Sequence, residues 1–119
     1  MVIDKRVKEH NKMPMIRIRG IQMNKIKQVS SKLVEDLHHI IGCPKDYFTI
    51  ECMHSTFIYE GKEVEAPTLI EVAWFDRGQE VQDEVAECMM KHFGDEAECL
   101  EVYFIPLKET AYYENGEHF

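Results

Sequence analysis

The sequence predicts an α+β fold made of two successive strand–helix–strand units, and three observations lead there. An alternating run, Met15-Ile16-Arg17-Ile18-Arg19, is followed by apolar residues at helical spacing and then by a second extended run. The same order of elements begins again at Leu69. A shift of 54 residues lays Ile16 on Ile70, Ile18 on Val72, Phe48 on Val102 and Ile50 on Phe104, with one or two residues of extra slip along the helical stripes. Little residue identity accompanies this pseudo-repeat, so it is a repeat of pattern.

In the first unit, Met15 to Arg19 reads as a strand closed by Gly20. Met23, Ile26, Val29, Leu33, Leu37 and Ile40 then recur every three or four residues, with charged and polar side chains between them. This is an amphipathic helix of about five turns. Gly42 suits the position just past its end, and Pro44 follows where the helix must already have stopped. Tyr47 to Met53 is the next strand, with Phe48, Ile50 and Cys52 on one face. His54 to Tyr59 continues as an irregular extended piece, Glu60-Gly61-Lys62 is a turn, and Ala66-Pro67 closes the loop.

In the second unit, Leu69 to Phe75 is apolar and rich in β-branched residues, which predicts a strand covered on both faces. Asp76-Arg77-Gly78 is a turn. Val81, Val85, Cys88, Met89 and Phe93 form the second helical stripe, ended by Gly94-Asp95. Leu100 to Ile105 is the last strand, stopped by Pro106. The tail from Lys108 to Phe119 is polar and aromatic and contains Asn115-Gly116.

The chain has 119 residues, enough for one domain with a single core. A 45% hydrophobic and 30% charged composition belongs to a globular chain, not a disordered one. The net charge of −8 argues against a phosphate-backbone binder, so no nucleic-acid partner is expected. No apolar run approaches a membrane span, and the Lys-rich segment 1–12 has no apolar stretch of a secretory signal. A cytoplasmic location is expected, with Cys43, Cys52, Cys88 and Cys99 as reduced thiols. None of these cysteines forms a CxxC pair, and His38 and His39 cannot share one helix face, so a zinc site requires convergence of distant residues. Neither a metal site nor a cofactor is expected.

Two parallel strand–helix–strand units put both helices on one face of a four-stranded mixed sheet. The other face is left uncovered. Its strands read as too apolar for water, which calls for a cover, most simply another copy of the chain.

Several local motifs extend this reading. Met13-Pro14 opens the first strand, Gly42-Cys43-Pro44-Lys45-Asp46-Tyr47 links the first helix to the second strand, Leu69 to Gly78 starts the second unit, and Val102-Tyr103-Phe104 lies in the closing strand. In order and spacing these resemble the tautomerase superfamily, in the fused-repeat form typified by macrophage migration inhibitory factor. Trp74-Phe75-Asp76-Arg77-Gly78-Gln79 resembles an uncharacterised bacterial branch of it. The resemblance spans residues 14–119, with residues 1–13 as an N-terminal extension, either a mobile arm or a start-codon artefact. It implies a homotrimer that buries the open sheet face, active sites beside an N-terminal proline at subunit boundaries, and keto–enol proton transfer on a small anionic 2-oxo acid.

The chemistry depends on one nitrogen. If Pro14 is the first residue of the mature chain, it carries a secondary amine. An α-amine has an ordinary pKa near 8, which nearby cations and burial lower, making a general base at neutral pH. If residue 13 precedes it, the nitrogen is an amide without proton chemistry, and Pro14 simply starts an edge strand. By the same resemblance Arg77 binds a substrate carboxylate through paired hydrogen bonds. The alternative for Arg77 is a solvated turn residue paired with Asp76 or Glu80. Arg17 and Arg19 share a strand face and either meet an anionic substrate or pair with carboxylates across an interface. Tyr103 either donates to an enolate oxygen or is a core aromatic. His54, Glu51, Tyr112 and Tyr113 are candidates for the pocket rim. The lysine that follows the turn glycine in the mammalian cytokine is replaced by Cys43, so Lys45 receives no role. A non-catalytic trimeric binding protein of the same fold, and a ferredoxin-like dimer, are the competing readings.

Overall fold

A computed structural model describes residues 13–119; of the expected extension over residues 1–13, only Met13 lies within them. Ten regular elements follow in order: β1 (Met15–Arg19), α1 (Met23–Ile41), β2 (Thr49–Met53), β3 (Phe57–Tyr59), β4 (Lys62–Val64), β5 (Thr68–Trp74), α2 (Gln79–Phe93), β6 (Leu100–Pro106), β7 (Tyr113–Glu114) and β8 (Glu117–His118). The main sheet has the order β2-β1-β5-β6. β1 runs parallel to β2 and β5 parallel to β6, while β1 and β5 are antiparallel. Each strand–helix–strand unit is thus a parallel pair, and the two units join through their first strands.

Period-two alternation decides which face each strand buries. Ile16 and Ile18 in β1, and Ile70, Val72 and Trp74 in β5, are at most 1% exposed. They meet Ile26, Leu33 and Leu37 of α1 and Val85, Cys88, Met89 and Phe93 of α2 in one cluster, so both helices cover the same sheet face. Ile50 and Cys52 of β2 and Leu100, Val102 and Phe104 of β6 pack at its flanks. Met23, placed on the α1 stripe by periodicity, stands instead at the helix start and is exposed. Gly42 closes α1 at φ 86°, its N–H donating to His38 O at 2.8 Å, which is the left-handed cap its position predicts. The helix α2 passes into a single 3-10 turn, Gly94–Glu96.

Three expectations need correction. Residues 45–47 form a 3-10 turn, so β2 starts at Thr49. Lys62 is not only a turn residue, because Lys62–Val64 pairs with Phe57–Tyr59 as a hairpin around Glu60 and Gly61, both at positive φ. The tail, read from sequence only as polar and aromatic, adds a hairpin: β7 and β8 pair around Asn115-Gly116, and Tyr112 and Phe119 pack on Phe75 with ring centroids 5.8 and 5.7 Å from it. The repeat changes offset, since Arg17 lies beside Glu51 and its counterpart Glu71 lies beside Tyr103. The strands β2 and β6 therefore correspond with a shift of 52, where the sequence suggested 54. Short hairpins and a two-residue slip have too few apolar repeats to leave a periodic signal.

Among the described residues no helix is long and apolar enough to cross a membrane. Gly20 ends β1 at φ +79°, and a Cβ built on it would lie 2.4 Å from Pro67 O, where the chain returns to start β5. Gly61 has a similar φ of +76° but open space around it. Gly61→Ala is expected to lose about 1–2 kcal/mol, the cost of a left-handed L-residue. Gly20→Ala adds a backbone clash and is expected to lose about 3 kcal/mol, near the upper end of common single substitutions. Urea denaturation of both variants measures the difference.

Candidate functional site

The sequence-predicted residues fall into two groups, one at an end of the sheet and one across its open face. Pro14 immediately precedes β1, and Met15 pairs with Ala73, so Pro14 stands where β5 runs out at Trp74. Its side chain is fully buried and Met13 is 3% exposed. The strand β1 is interior to the sheet, so Pro14 does not start an edge strand. It occupies the position before an inner strand, where a missing N–H breaks no ladder bond. Its carbonyl still accepts from Thr49 N at 3.4 Å.

Arg77 shares this end of the sheet. It does not pair with Asp76, whose Oδ1 accepts from Gly78 N at 2.8 Å and shapes the turn into α2. The guanidinium folds back instead. Nη1 donates to Phe75 O at 2.9 Å, and Cζ lies 5.9 Å from the centroid of the Trp74 ring. Burial lowers the Arg77 pKa from its ordinary value, with the Cys43 thiol acting in the opposite sense. Burial likewise raises the fully enclosed Cys43 thiol, opposed by Arg77. Beside them the buried indole N–H of Trp74 has no hydrogen-bond partner among the described residues. The end of the sheet thus gathers a proline, a desolvated cation, a protonated thiol and an unpaired donor.

The second group is a row across all four strands, on the face turned away from the helices. Glu51, Arg17, Glu71 and Tyr103 are successive lateral neighbours. Arg17 Nε donates to Glu51 Oε1 at 3.2 Å and Nη1 to Glu71 Oε2 at 3.4 Å. The Tyr103 hydroxyl donates to Glu71 Oε1 at 3.0 Å, and Arg19 Nη1 donates to the Tyr103 oxygen at 3.2 Å. Charge attraction from Glu51, then the hydrogen bond to Glu71, raises the Arg17 pKa. The open face is therefore not the apolar surface the strands suggested, because Met15, Leu69, Ala73 and Ile105 share it with this charged row. Glu71 is 7% exposed, a buried carboxylate held by a cation and a hydroxyl.

The two groups are distinct within one chain. From Pro14 to Tyr103 is three residues along the strand and two strands across, roughly 14 Å between Cα positions at standard spacings. Arg17 and Tyr103 meet each other through Glu71, and neither faces Pro14. Sequence reasoning missed Glu71, although an acid in the middle of the apolar run Leu69 to Trp74 was a signal. It also missed a third cluster, in the helix layer. Asp36 of α1 and Cys88 and His92 of α2 bring one oxygen, one sulfur and one nitrogen within 4.8 Å of one another. The four-residue step from Cys88 to His92 placed both on one helix face; nothing in the sequence paired them with Asp36.

A four-stranded mixed sheet under two helices, repeated by a pseudo-twofold, with a proline before its first inner strand, defines a fold of the tautomerase and macrophage migration inhibitory factor type. A structure described as a macrophage migration inhibitory factor-like protein from Entamoeba histolytica superposes with a TM-score of 0.65 at 17% identity, over 89% of this chain and 98% of that one. The chain itself belongs to the family described as a domain of unknown function (DUF1904), which matches residues 13–118. A member of that family from Sebaldella termitidis ATCC 33386 is 38% identical with a TM-score of 0.82, covering 90% of this chain and all of that one. A protein of unknown function from Vibrio cholerae O1 biovar eltor str. N16961 is 31% identical with a TM-score of 0.80, over 93% and 91% of the two chains. No curated protein matches the sequence.

Removing Arg17 leaves the Glu71 carboxylate without its cation. Arg17→Ala is expected to lower the urea midpoint, because the buried Glu71 carboxylate then keeps only the Tyr103 hydroxyl. Arg17→Ala combined with Glu71→Gln is expected to recover part of that loss. A double-mutant cycle in urea reads the coupling.

Proposed function

We propose that this chain is a homotrimeric, tautomerase-like isomerase that transfers a proton between carbon and the Pro14 nitrogen on a small anionic 2-oxo acid or its enol. The observation that carries the proposal is the position of Pro14 at the end of an inner strand, enclosed at the same sheet end as the desolvated Arg77. Proton abstraction next to a carbonyl needs a base of near-neutral pKa held out of water, and a cation to hold the substrate carboxylate. A chain beginning at Pro14 supplies both. The amine takes the proton from the carbon beside the 2-oxo group, the electron pair moves onto the carbonyl oxygen to give the enolate, and the ammonium returns the proton at the other site. Arg77 orients the carboxylate. Within one chain Tyr103 lies on the other sheet face, so its part as a donor to the enolate rests on a neighbouring copy.

The likeness of fold supports this reading. A structure described as Pt0534 inactivated by 2-oxo-3-pentynoate shares the fold at 13% identity and a TM-score of 0.66. Another, at 12% identity and 0.63, is described as a fused 4-OT asymmetric trimer. The protruding β3–β4 hairpin supports assembly too, since it carries Ile58 at 70% and Tyr59 at 67% exposure. Among the described residues the outer edge of β6 pairs with no strand, and such an edge can receive one.

A second reading, a non-catalytic trimeric binding protein, draws on Met13. That side chain belongs to the hydrophobic core, so a chain that keeps it holds Pro14 as a packed amide. Intact mass of the protein from its native host separates the two readings. A mass corresponding to Pro14–Phe119 supports the isomerase, and a chain retaining residue 13 rules out the proline base.

A chain beginning at Pro14 is expected to ketonise an aryl enolpyruvate. Pro14→Ala is expected to lower kcat by about 100-fold or more, the usual scale of general-base catalysis. Arg77→Ala is expected to raise KM about 10-fold, the loss of one charge-assisted contact. Equal rates with and without Pro14 would remove it from the mechanism, and a dimer in light scattering would overturn the assembly.

A further inference from the structure

The helix layer carries an arrangement that proton transfer at Pro14 does not use. Cys88 and His92 stand one turn apart on α2 and point to the same side. Asp36 reaches them from the middle of α1. Cys88 is 5% exposed and the His92 side chain 8%, so two of the three groups are held almost entirely inside protein. On their outer side is a groove of about 660 Å³, lined by Asp36, His39, Glu84, Glu87, Cys88 and Lys91 among others.

Polar contacts hold Asp36 and His92, whereas Cys88 enters the cluster as a buried member of the hydrophobic core. Asp36 Oδ2 lies 2.8 Å from His92 Nε2 and 3.3 Å from Lys91 Nζ, and Oδ1 lies 3.4 Å from Lys32 Nζ. The lysine side chains are each 66% exposed and free to swing into water. An Asp–His ion pair needs no thiol. A third donor atom of a different element, converging from the same helix face as the histidine, is what a tetrahedral N/O/S site requires. Zinc–nitrogen and zinc–sulfur bonds of about 2.0 and 2.3 Å at a tetrahedral angle put donor atoms about 3.3–3.6 Å apart. The three donors already lie within 4.8 Å, with Asp36 Oδ2 and His92 Nε2 at 2.8 Å, so an ion would part that pair slightly and draw the thiol in.

We propose that Asp36, Cys88 and His92 form a divalent transition-metal site of the zinc class, with a fourth position open to the groove between α1 and α2. On binding, the Cys88 thiol gives its proton to solvent and His92 binds through neutral Nε2. The carboxylate and thiolate together balance the two charges of the ion. Lys32 and Lys91 leave Asp36, and Glu84 and Glu87 keep the groove mouth negative. The ion bridges α1 to α2, behind the sheet and on the side opposite the Glu51–Tyr103 row.

The test adds Zn2+ or Co2+ alone to the reduced full-length chain. One equivalent of Co2+ is expected to give visible bands of tetrahedral cobalt and a near-ultraviolet sulfur-to-cobalt band. Zn2+ at a hundredfold excess over Kd is expected to raise Tm by about 10 °C. The sulfur band is expected to persist in a Cys52→Ala/Cys99→Ala variant and to vanish in Cys88→Ser. Asp36→Asn, which preserves shape, is expected to weaken Co2+ binding about 10-fold or more. A cobalt spectrum without a sulfur band overturns the site. So does a band unchanged in Cys88→Ser or lost with Cys52 and Cys99, or the absence of both binding and thermal shift.

Discussion

The antiparallel pairing of β1 with β5 is the constraint on which the rest of the molecule depends. It joins the two strand–helix–strand units, and its local twofold passes through the Arg17–Glu71 pair. One register satisfies both faces at once. Ile16, Ile18, Ile70 and Val72 go beneath the helices, while Arg17 meets Glu71 on the other side. A slip of β5 by one residue against β1 would turn Glu71 into the core and Ile70 and Val72 out of it. The side of the helices follows, since their apolar stripes pack on the surface those residues make.

This register also separates two kinds of chemistry. The sheet end at Pro14 is dry, with a buried proline, a guanidinium stacked near Trp74 and a thiol kept protonated by burial. The open face carries an ionic row, with Arg17 between Glu51 and Glu71 and Tyr103 closing it. Burial of Glu71 without such partners would be costly, so the row is a structural requirement of the central pair before it is anything else. The helix layer holds a third polar centre around Asp36. There the carboxylate is held at a pKa of about 2, chiefly by the hydrogen bond from His92, and burial is the leading cause that pushes the Cys88 thiol up to about 11.

Much of this was legible in the residues. The helix stripes and the alternating strands follow from periodicity, because each buries one face against a single core, and β5 follows from its continuous apolar run, buried on both faces. The left-handed cap at Gly42 follows from the glycine before Pro44. The β3–β4 hairpin and the folded tail were harder to see, since strands of two or three residues carry no measurable period. The tail is fixed by the packing of Tyr112 and Phe119 on Phe75, a contact between residues distant in sequence.

By itself the sequence determined the α+β class, the doubled unit, the helix-facing core and the place of Pro14 at the start of a strand. These are local or periodic properties, encoded in the spacing of neighbouring side chains. Only the tertiary structure decided that β1 is an inner strand, that Arg17 and Tyr103 share Glu71 within one chain, and that Asp36 meets Cys88 and His92. Each of these depends on which strands and helices lie side by side. That choice is made by the register of pairing and the packing of the core, which no local spacing records.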